Sequence, residues 1–237
     1  SRDIEWTNFD DVVEMIVDII NSKVHGKPHL VGLSLGGSLI LKLLEKHSSL
    51  IDRVVVDGAS PQPIKGYRKI IAIVYLMSFL KNTKFVANLL TKMMQEDGAP
   101  VQDVQHFVAD FQSAERRSFR RAMSQANLLR LNLQFDNPAF FVSGGKEAET
   151  IHDWHRRLAD KNARSECAYY PGNGHAWLFS DVDTHIQLLR YFFQNASFPE
   201  KLKRFWYILD LIYCLQASED KIILCFVGFL WKGGLST

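Results

Sequence analysis

The sequence predicts an α/β fold: a parallel sheet flanked by helices, with a helical segment inserted into the alternation. Three observations carry that expectation. Short apolar runs of strand length alternate with amphipathic helical stretches over residues 10–60 and again over 138–197. Between them, from Gly66 to Leu133, the periodicity is helical and strand signals are few. Turn residues punctuate the apolar runs, as at Gly26-Lys27-Pro28 and Pro61-Gln62-Pro63.

Each element follows from its own pattern. Val12, Val13, Ile16, Ile19 and Ile20 fall at helical spacing with Asp11, Glu14 and Asp18 between them, which predicts a helix over Asp10–Val24. His29–Leu33 reads as a short buried strand running straight into Ser34. Gly36 and Gly37 open a second helix over Ser38–Lys46, with Leu39, Leu43 and Leu44 on its apolar side. Arg53–Asp57 is the next strand, closed by Gly58. Asp97-Gly98-Ala99-Pro100 breaks the helical insertion into two parts. Ala139–Ser143 is then a strand, Ile151–Lys161 a helix, Cys167–Tyr170 a strand and Thr184–Asn195 the final helix.

With 237 residues, 47% apolar and 23% charged, the chain is long enough for one sizeable core of ordinary globular composition. A formal net charge of +2 is too small to argue for nucleic acid or an acidic membrane surface, and no nucleic-acid partner is expected. Cys167, Cys214 and Cys225 have no CxxC spacing and read as buried thiols. No signal-peptide pattern opens the chain, so a cytoplasmic location is expected; the start without Met is read as that of a fragment or processed chain. Beyond Phe198, the apolar runs Phe205–Leu215 and Ile222–Trp231 are each shorter than the ~20 residues needed to span a bilayer. They are expected to form an extra packed element or an extension foreign to the core, with a membrane-facing hairpin as the alternative. The expected layout is thus a core of 1–60 and 138–197, an insertion of 61–137 and an extension of 198–237.

The segment that carries chemistry is Gly32-Leu33-Ser34-Leu35-Gly36. A nucleophile between strand and helix sits on a sharp, strained turn, so the glycines two before and two after it, Gly32 and Gly36, answer to a need for small residues. The helix that follows aims its N-terminal N–H groups at charge forming beside Ser34. A serine hydroxyl also needs a base. Of eight histidines, His175 alone follows a strand, within Pro171-Gly-Asn-Gly-His175, where strand ends and ligands meet on a parallel sheet. His152 and His155 stand at i, i+3 on a helix with no third metal ligand, and read as part of a solvated face. Arg116, Arg117, Arg120 and Arg121 read the same way, with an anionic partner as the alternative.

Over roughly residues 4–197 the order Ser, acid, His resembles the α/β-hydrolase family. The resemblance implies an acid after the strand that follows the insertion, in a stretch like G-x-x-D. Here Gly144-Gly145-Lys146-Glu147 puts Glu147 in that place, with Asp57 and Glu149 as alternatives. It also implies an oxyanion hole with the Leu35 N–H as one donor. The second donor belongs to a His-Gly loop after an earlier strand; nothing before Ser34 resembles it, and several strands of the family pattern are expected to be absent. Residues 61–137 resemble the family's lid. Tyr75, Met77, Phe79, Phe85, Leu89, Leu90, Met93 and Met94 would either favour an apolar substrate or pack the lid on the core.

The resemblance therefore implies a serine hydrolase that cleaves an ester or related acyl bond of an apolar small molecule, with no metal or organic cofactor. The competing expectation is a truncated or degenerate relative that binds a ligand or partner without catalysis. Fold and triad select neither the substrate nor the oligomeric state.

Overall fold

The computed structural model describes residues 5–205. The chain divides into two compact units, residues 1–203 and 204–237. All of the second except Arg204 and Phe205 lies outside the described residues, as do Cys214, Cys225 and both apolar runs apart from Phe205.

Five strands, β1 (Leu30–Leu33), β2 (Val54–Asp57), β3 (Ala139–Gly144), β4 (Glu166–Tyr170) and β5 (Lys203–Arg204), form one sheet in the order β1-β2-β3-β4-β5. The β1–β2, β2–β3 and β3–β4 pairs are parallel, with Leu33 opposite Asp57 and Asp57 opposite Val142. β2 and β3 are buried along their whole length, which is why Val-Val-Val and Ala-Phe-Phe-Val read as unbroken apolar runs rather than alternating ones. Among the described residues β1 has no partner on its outer side, and Val31 there is 44% exposed.

The expected core elements are present: α1 (Phe9–Lys23), α2 (Leu35–His47), α7 (Glu149–Asp160) and α9 (Val182–Gln194), with the four-residue α8 (Trp177–Ser180) before the last. Asn8 caps α1 by accepting the Asp11 N–H, and Asp181 caps α9 by accepting the Thr184 N–H. Successive residues of β3 face opposite layers. Phe140 packs on Phe192 and clusters with Val55, Val142, Trp177 and Leu188, whereas Phe141 meets the His155 ring of α7 at 5.8 Å.

Between β2 and β3 the insertion folds into four helices, α3 (Tyr67–Leu80), α4 (Lys84–Glu96), α5 (Val101–Ser113) and α6 (Arg116–Leu128). Val86, Leu90 and Phe111 form its own small core. Of the residues expected to meet an apolar substrate or to pack the insertion on the core, Leu90 and Met94 are buried, but Tyr75, Phe79, Phe85, Leu89 and Met93 are exposed. No helix among the described residues is long and apolar enough to cross a membrane.

Candidate active site

Ser34 joins β1 to α2 with φ 55° and ψ −112°, a left-handed, strained backbone for a residue with a side chain. Parallel pairing imposes the turn: the Ser34 N–H donates to the Asp57 carbonyl at 2.8 Å, while the Ser34 carbonyl accepts the Ser38 N–H at 2.9 Å. α2 therefore begins at Leu35, three residues earlier than expected. Its first N–H groups have no partner within the helix, which leaves the Leu35 amide beside the serine.

Of the two elbow glycines, Gly32 alone is held to glycine by its contacts. A methyl at Gly32 would meet the Gly36 backbone carbon at 2.5 Å, so that position must be glycine. A methyl at Gly36 would meet nothing within 4 Å; the crowded residue on the helix side is Gly37, 2.8 Å from the Ala59 Cβ. Tight packing of strand end against helix start thus falls on Gly32 and Gly37.

His175 leaves β4 on the loop before α8, and its Nδ1–H donates to Glu147 Oε2 at 2.9 Å. The second Glu147 oxygen accepts the Gly144 N–H at 3.2 Å. The Glu147 side chain is 5% exposed and that of His175 is 47% exposed. Burial raises the Glu147 carboxyl, but the bond and charge of His175 outweigh it and hold the group below its usual value. Desolvation lowers His175, and the bond and charge of Glu147, with the charge of Asp97 adding to them, outweigh that and raise it.

The other two carboxylates stand elsewhere. Asp57, 1% exposed, accepts the Trp177 indole N–H on Oδ1 at 3.2 Å, while Oδ2 is buried without a hydrogen bond. Burial drives its pKa up to about 8, so at neutral pH it is mostly a neutral acid. Glu149 lies in the first turn of α7, largely exposed, where it pairs with Arg156. Neither hydrogen-bonds His175.

The elbow and the His175–Glu147 pair meet across one turn. Gly58, with φ +58°, follows the Asp57 carbonyl that holds Ser34, and a methyl on it would lie 2.7 Å from His175 Cε1 and 3.0 Å from Glu147 Oε1. The Ser34 hydroxyl makes no hydrogen bond to His175 in this structure. Such contacts commonly tighten only with substrate bound.

Two supporting residues, Asp97 and Trp177, carry no signal of their role in the sequence. Asp97, in the α4–α5 link, accepts the N–H groups of Gly174 at 3.0 Å and Ala176 at 3.4 Å, one on each side of His175. The Asp97 carbonyl also accepts the Asn173 amide at 2.9 Å. Trp177 lies fully buried against Asp57. His155 and its neighbour His152 are 0% and 6% exposed, so the expected solvated face is instead a packed one. The periodicity misleads because each ring bonds a main-chain carbonyl of the sheet side, His155 to Ala59 at 2.9 Å and His152 to Gly144 at 3.1 Å. No cluster of metal-ligand type occurs among the described residues.

An apolar cavity of about 650 Å3 opens beside Leu35, bordered by Trp6, Val12, Met15, Phe119 and Met123.

A sequence model of the Alpha/beta hydrolase family matches residues 1–184, and the chain belongs to that family. The fold is similar to that of MenH from S. aureus, at TM-score 0.66 and 16% identity over 82% of this chain and 78% of that one. It is similar also to the enol-lactonase from Burkholderia xenovorans LB400, at TM-score 0.65 and 13% identity over 79% of this chain and 74% of the other. A thermophilic esterase from Thermogutta terrifontis aligns at TM-score 0.64 and 14% identity, over 81% and 74% of the two chains. No curated protein sequence matches the chain significantly. Family membership supports a hydrolase.

Proposed function

We propose that the protein is a serine hydrolase that cleaves an ester or related acyl bond through an acyl-enzyme. The observation that carries this reading is the buried Glu147 carboxylate on His175 Nδ1, packed against the Gly58 turn whose Asp57 carbonyl holds Ser34. With Nδ1–H donated to Glu147, the lone pair of Nε2 is free to take a proton. Ser34 Oγ attacks the acyl carbon as its proton passes to His175 Nε2. The Leu35 N–H stabilises the oxygen that gains charge, and Glu147 stabilises the imidazolium. Collapse breaks the acyl–oxygen bond, and the leaving alcohol takes the proton from Nε2. Water then attacks the acyl-Ser34, giving its proton to His175; the acid leaves and the proton returns to Ser34.

The cavity beside Leu35 and its apolar border favour an apolar acyl or alcohol group. Two similar folds bear the names enol-lactonase and esterase, which fits oxygen-ester chemistry. In this reading the insertion, tied to the His175 loop through Asp97, acts as a lid. The test is turnover of an activated ester by the purified chain. Hydrolysis abolished in both Ser34→Ala and His175→Ala supports it. Hydrolysis unchanged in Ser34→Ala removes Ser34 from the chemistry, and hydrolysis absent from the folded wild-type chain returns the protein to a ligand- or partner-binding role.

A further inference from the structure

α3 is apolar on every side yet mostly uncovered. Between Ile70 and Leu80 its polar groups are the hydroxyls of Tyr75 and Ser78. Only Val74 and Ser78 are buried, while Ile73, Tyr75, Leu76 and Phe79 are 54%, 51%, 58% and 70% exposed. A helix apolar all round belongs in a core or against lipid. α4 repeats the pattern: Phe85, Leu89 and Met93 form an exposed stripe at i, i+4, i+8, beside the buried stripe Val86, Leu90 and Met94.

The charge around these stripes is one-sided. Residues 58–95 contain six Lys and Arg and no Asp or Glu. Lys81 is buried and donates to the carbonyls of Gln112 and Ala114, but Lys65, Arg68, Lys69, Lys84 and Lys92 are exposed. The guanidinium groups of Arg116 and Arg120 lie over the exposed rings of Phe79 and Tyr75, at 6.0 and 5.3 Å from the centroids. Across 61–137 there are 11 basic against 6 acidic residues, so the insertion carries +5 and the rest of the chain −3. An uncovered apolar face framed by cations, with the nearest carboxylate of α4, Glu96, at its far end and paired with Lys92, is complementary to a surface that is apolar within and anionic at its boundary.

We propose that α3 and α4 dock on anionic phospholipid bilayers. Leu76, Phe79 and Phe85, on either side of the Lys81–Thr83 link, enter the acyl boundary, and Lys65, Arg68, Lys69 and Lys84 meet the headgroups. At ~1.5 Å per residue the 14 residues of α3 reach about 21 Å, short of a ~30 Å hydrocarbon core, so the helix lies on the membrane rather than across it. The proposal is independent of the chemistry at Ser34.

The test is co-sedimentation of the full chain with vesicles of phosphatidylcholine alone and of phosphatidylcholine with phosphatidylglycerol, at low and high salt. The wild-type chain is expected to bind the phosphatidylglycerol vesicles at least tenfold more tightly, and less tightly as salt rises. The triple variant Leu76→Ser, Phe79→Ser, Phe85→Ser is expected to lose at least tenfold, with an unchanged far-UV spectrum. Should that variant misfold, the surface variant Arg68→Ser, Lys69→Ser, Lys84→Ser is to lose the preference for phosphatidylglycerol instead. Absence of binding, equal binding to both vesicles, or full binding by the two folded variants overturns the proposal. So does wild-type self-association that the triple variant lacks, which makes a second copy the occupant.

Discussion

Gly58 and His175 are in mutual contact range, and no side chain fits between them. A methyl on Gly58 would lie 2.7 Å from His175 Cε1 and 2.8 Å from Nδ1, on a backbone whose φ is +58°. The end of β2 thus fixes the floor on which the His175–Glu147 pair rests. Gly58→Ala is expected to slow acyl turnover by on the order of 10²-fold through displacement of His175, since small misplacements at a reacting centre have effects of that size. Strain at φ +58° is expected to lower stability by about 1–2 kcal/mol. Ester kinetics and thermal melts read the two effects separately.

Glu147, rather than Asp57 or Glu149, is expected to be the acid that matters for rate. Glu147→Gln keeps the shape but loses the charge that stabilises the imidazolium, and turnover is expected to fall by roughly 10³–10⁴. Glu149→Gln, on the exposed turn of α7, is expected to leave kcat/KM within about twofold, as surface substitutions do. Side-by-side ester assays of the two variants check the assignment.

The pH profile follows from the raised pKa of His175. The general base must be neutral, so kcat/KM is expected to be lost as pH falls and to rise through an apparent pKa above 6.5. Removing the main charge that raises it, in Glu147→Gln, is expected to move the midpoint of the residual activity downward. A midpoint that stays fixed in that variant contradicts the pairing.

Asp57 ties pH to stability with the opposite sign from an ion-paired carboxylate. Its folded pKa is raised from 3.8 to about 8, so the native state holds a proton that the unfolded chain releases above pH 3.8. The stability this gives is present below pH 3.8 and declines as pH rises through the window up to 8. Asp57→Asn keeps an acceptor for Trp177 Nε1 and removes the titration. Denaturant melts from pH 5 to 8 are expected to show the wild-type chain losing stability relative to Asp57→Asn.

Asp97 is a positioning residue on the insertion. Asp97→Ala removes the acceptor for the N–H groups on both sides of His175, and with two charge-assisted hydrogen bonds lost kcat is expected to fall by about tenfold or more. Asp97→Asn, which retains one acceptor oxygen, is expected to recover most of kcat while leaving the apparent pKa below that of the wild-type chain. An unchanged kcat in Asp97→Ala separates the insertion from His175.

The core was legible because its signals are local. β1, β2, β3 and β4, with α1, α7 and α9, fall within a few residues of their apolar periods, and Ser34 is marked by glycines close in sequence. What was hidden depends on contacts between distant segments. Gly37 is required by what packs on it, Gly58 by the His175 ring against it as well as by its positive φ, and Asp97 reaches His175 across more than seventy residues. His152 and His155 sit among charged neighbours in sequence, so only the position of Ala59 and Gly144 in space explains their burial. α3 misled in the other direction: apolar periodicity of that strength reads as packing, whereas much of its surface is open. Residues 206–237, with Cys214, Cys225 and the two apolar runs after Phe205, lie outside the described residues.

The most direct test of the central claim is intact-mass analysis of the folded chain after treatment with a fluorophosphonate. The account predicts one adduct per chain, located at Ser34 by peptide mapping, absent in Ser34→Ala and greatly slowed in His175→Ala. A folded wild-type chain that takes no adduct, or takes it at a residue other than Ser34, contradicts it.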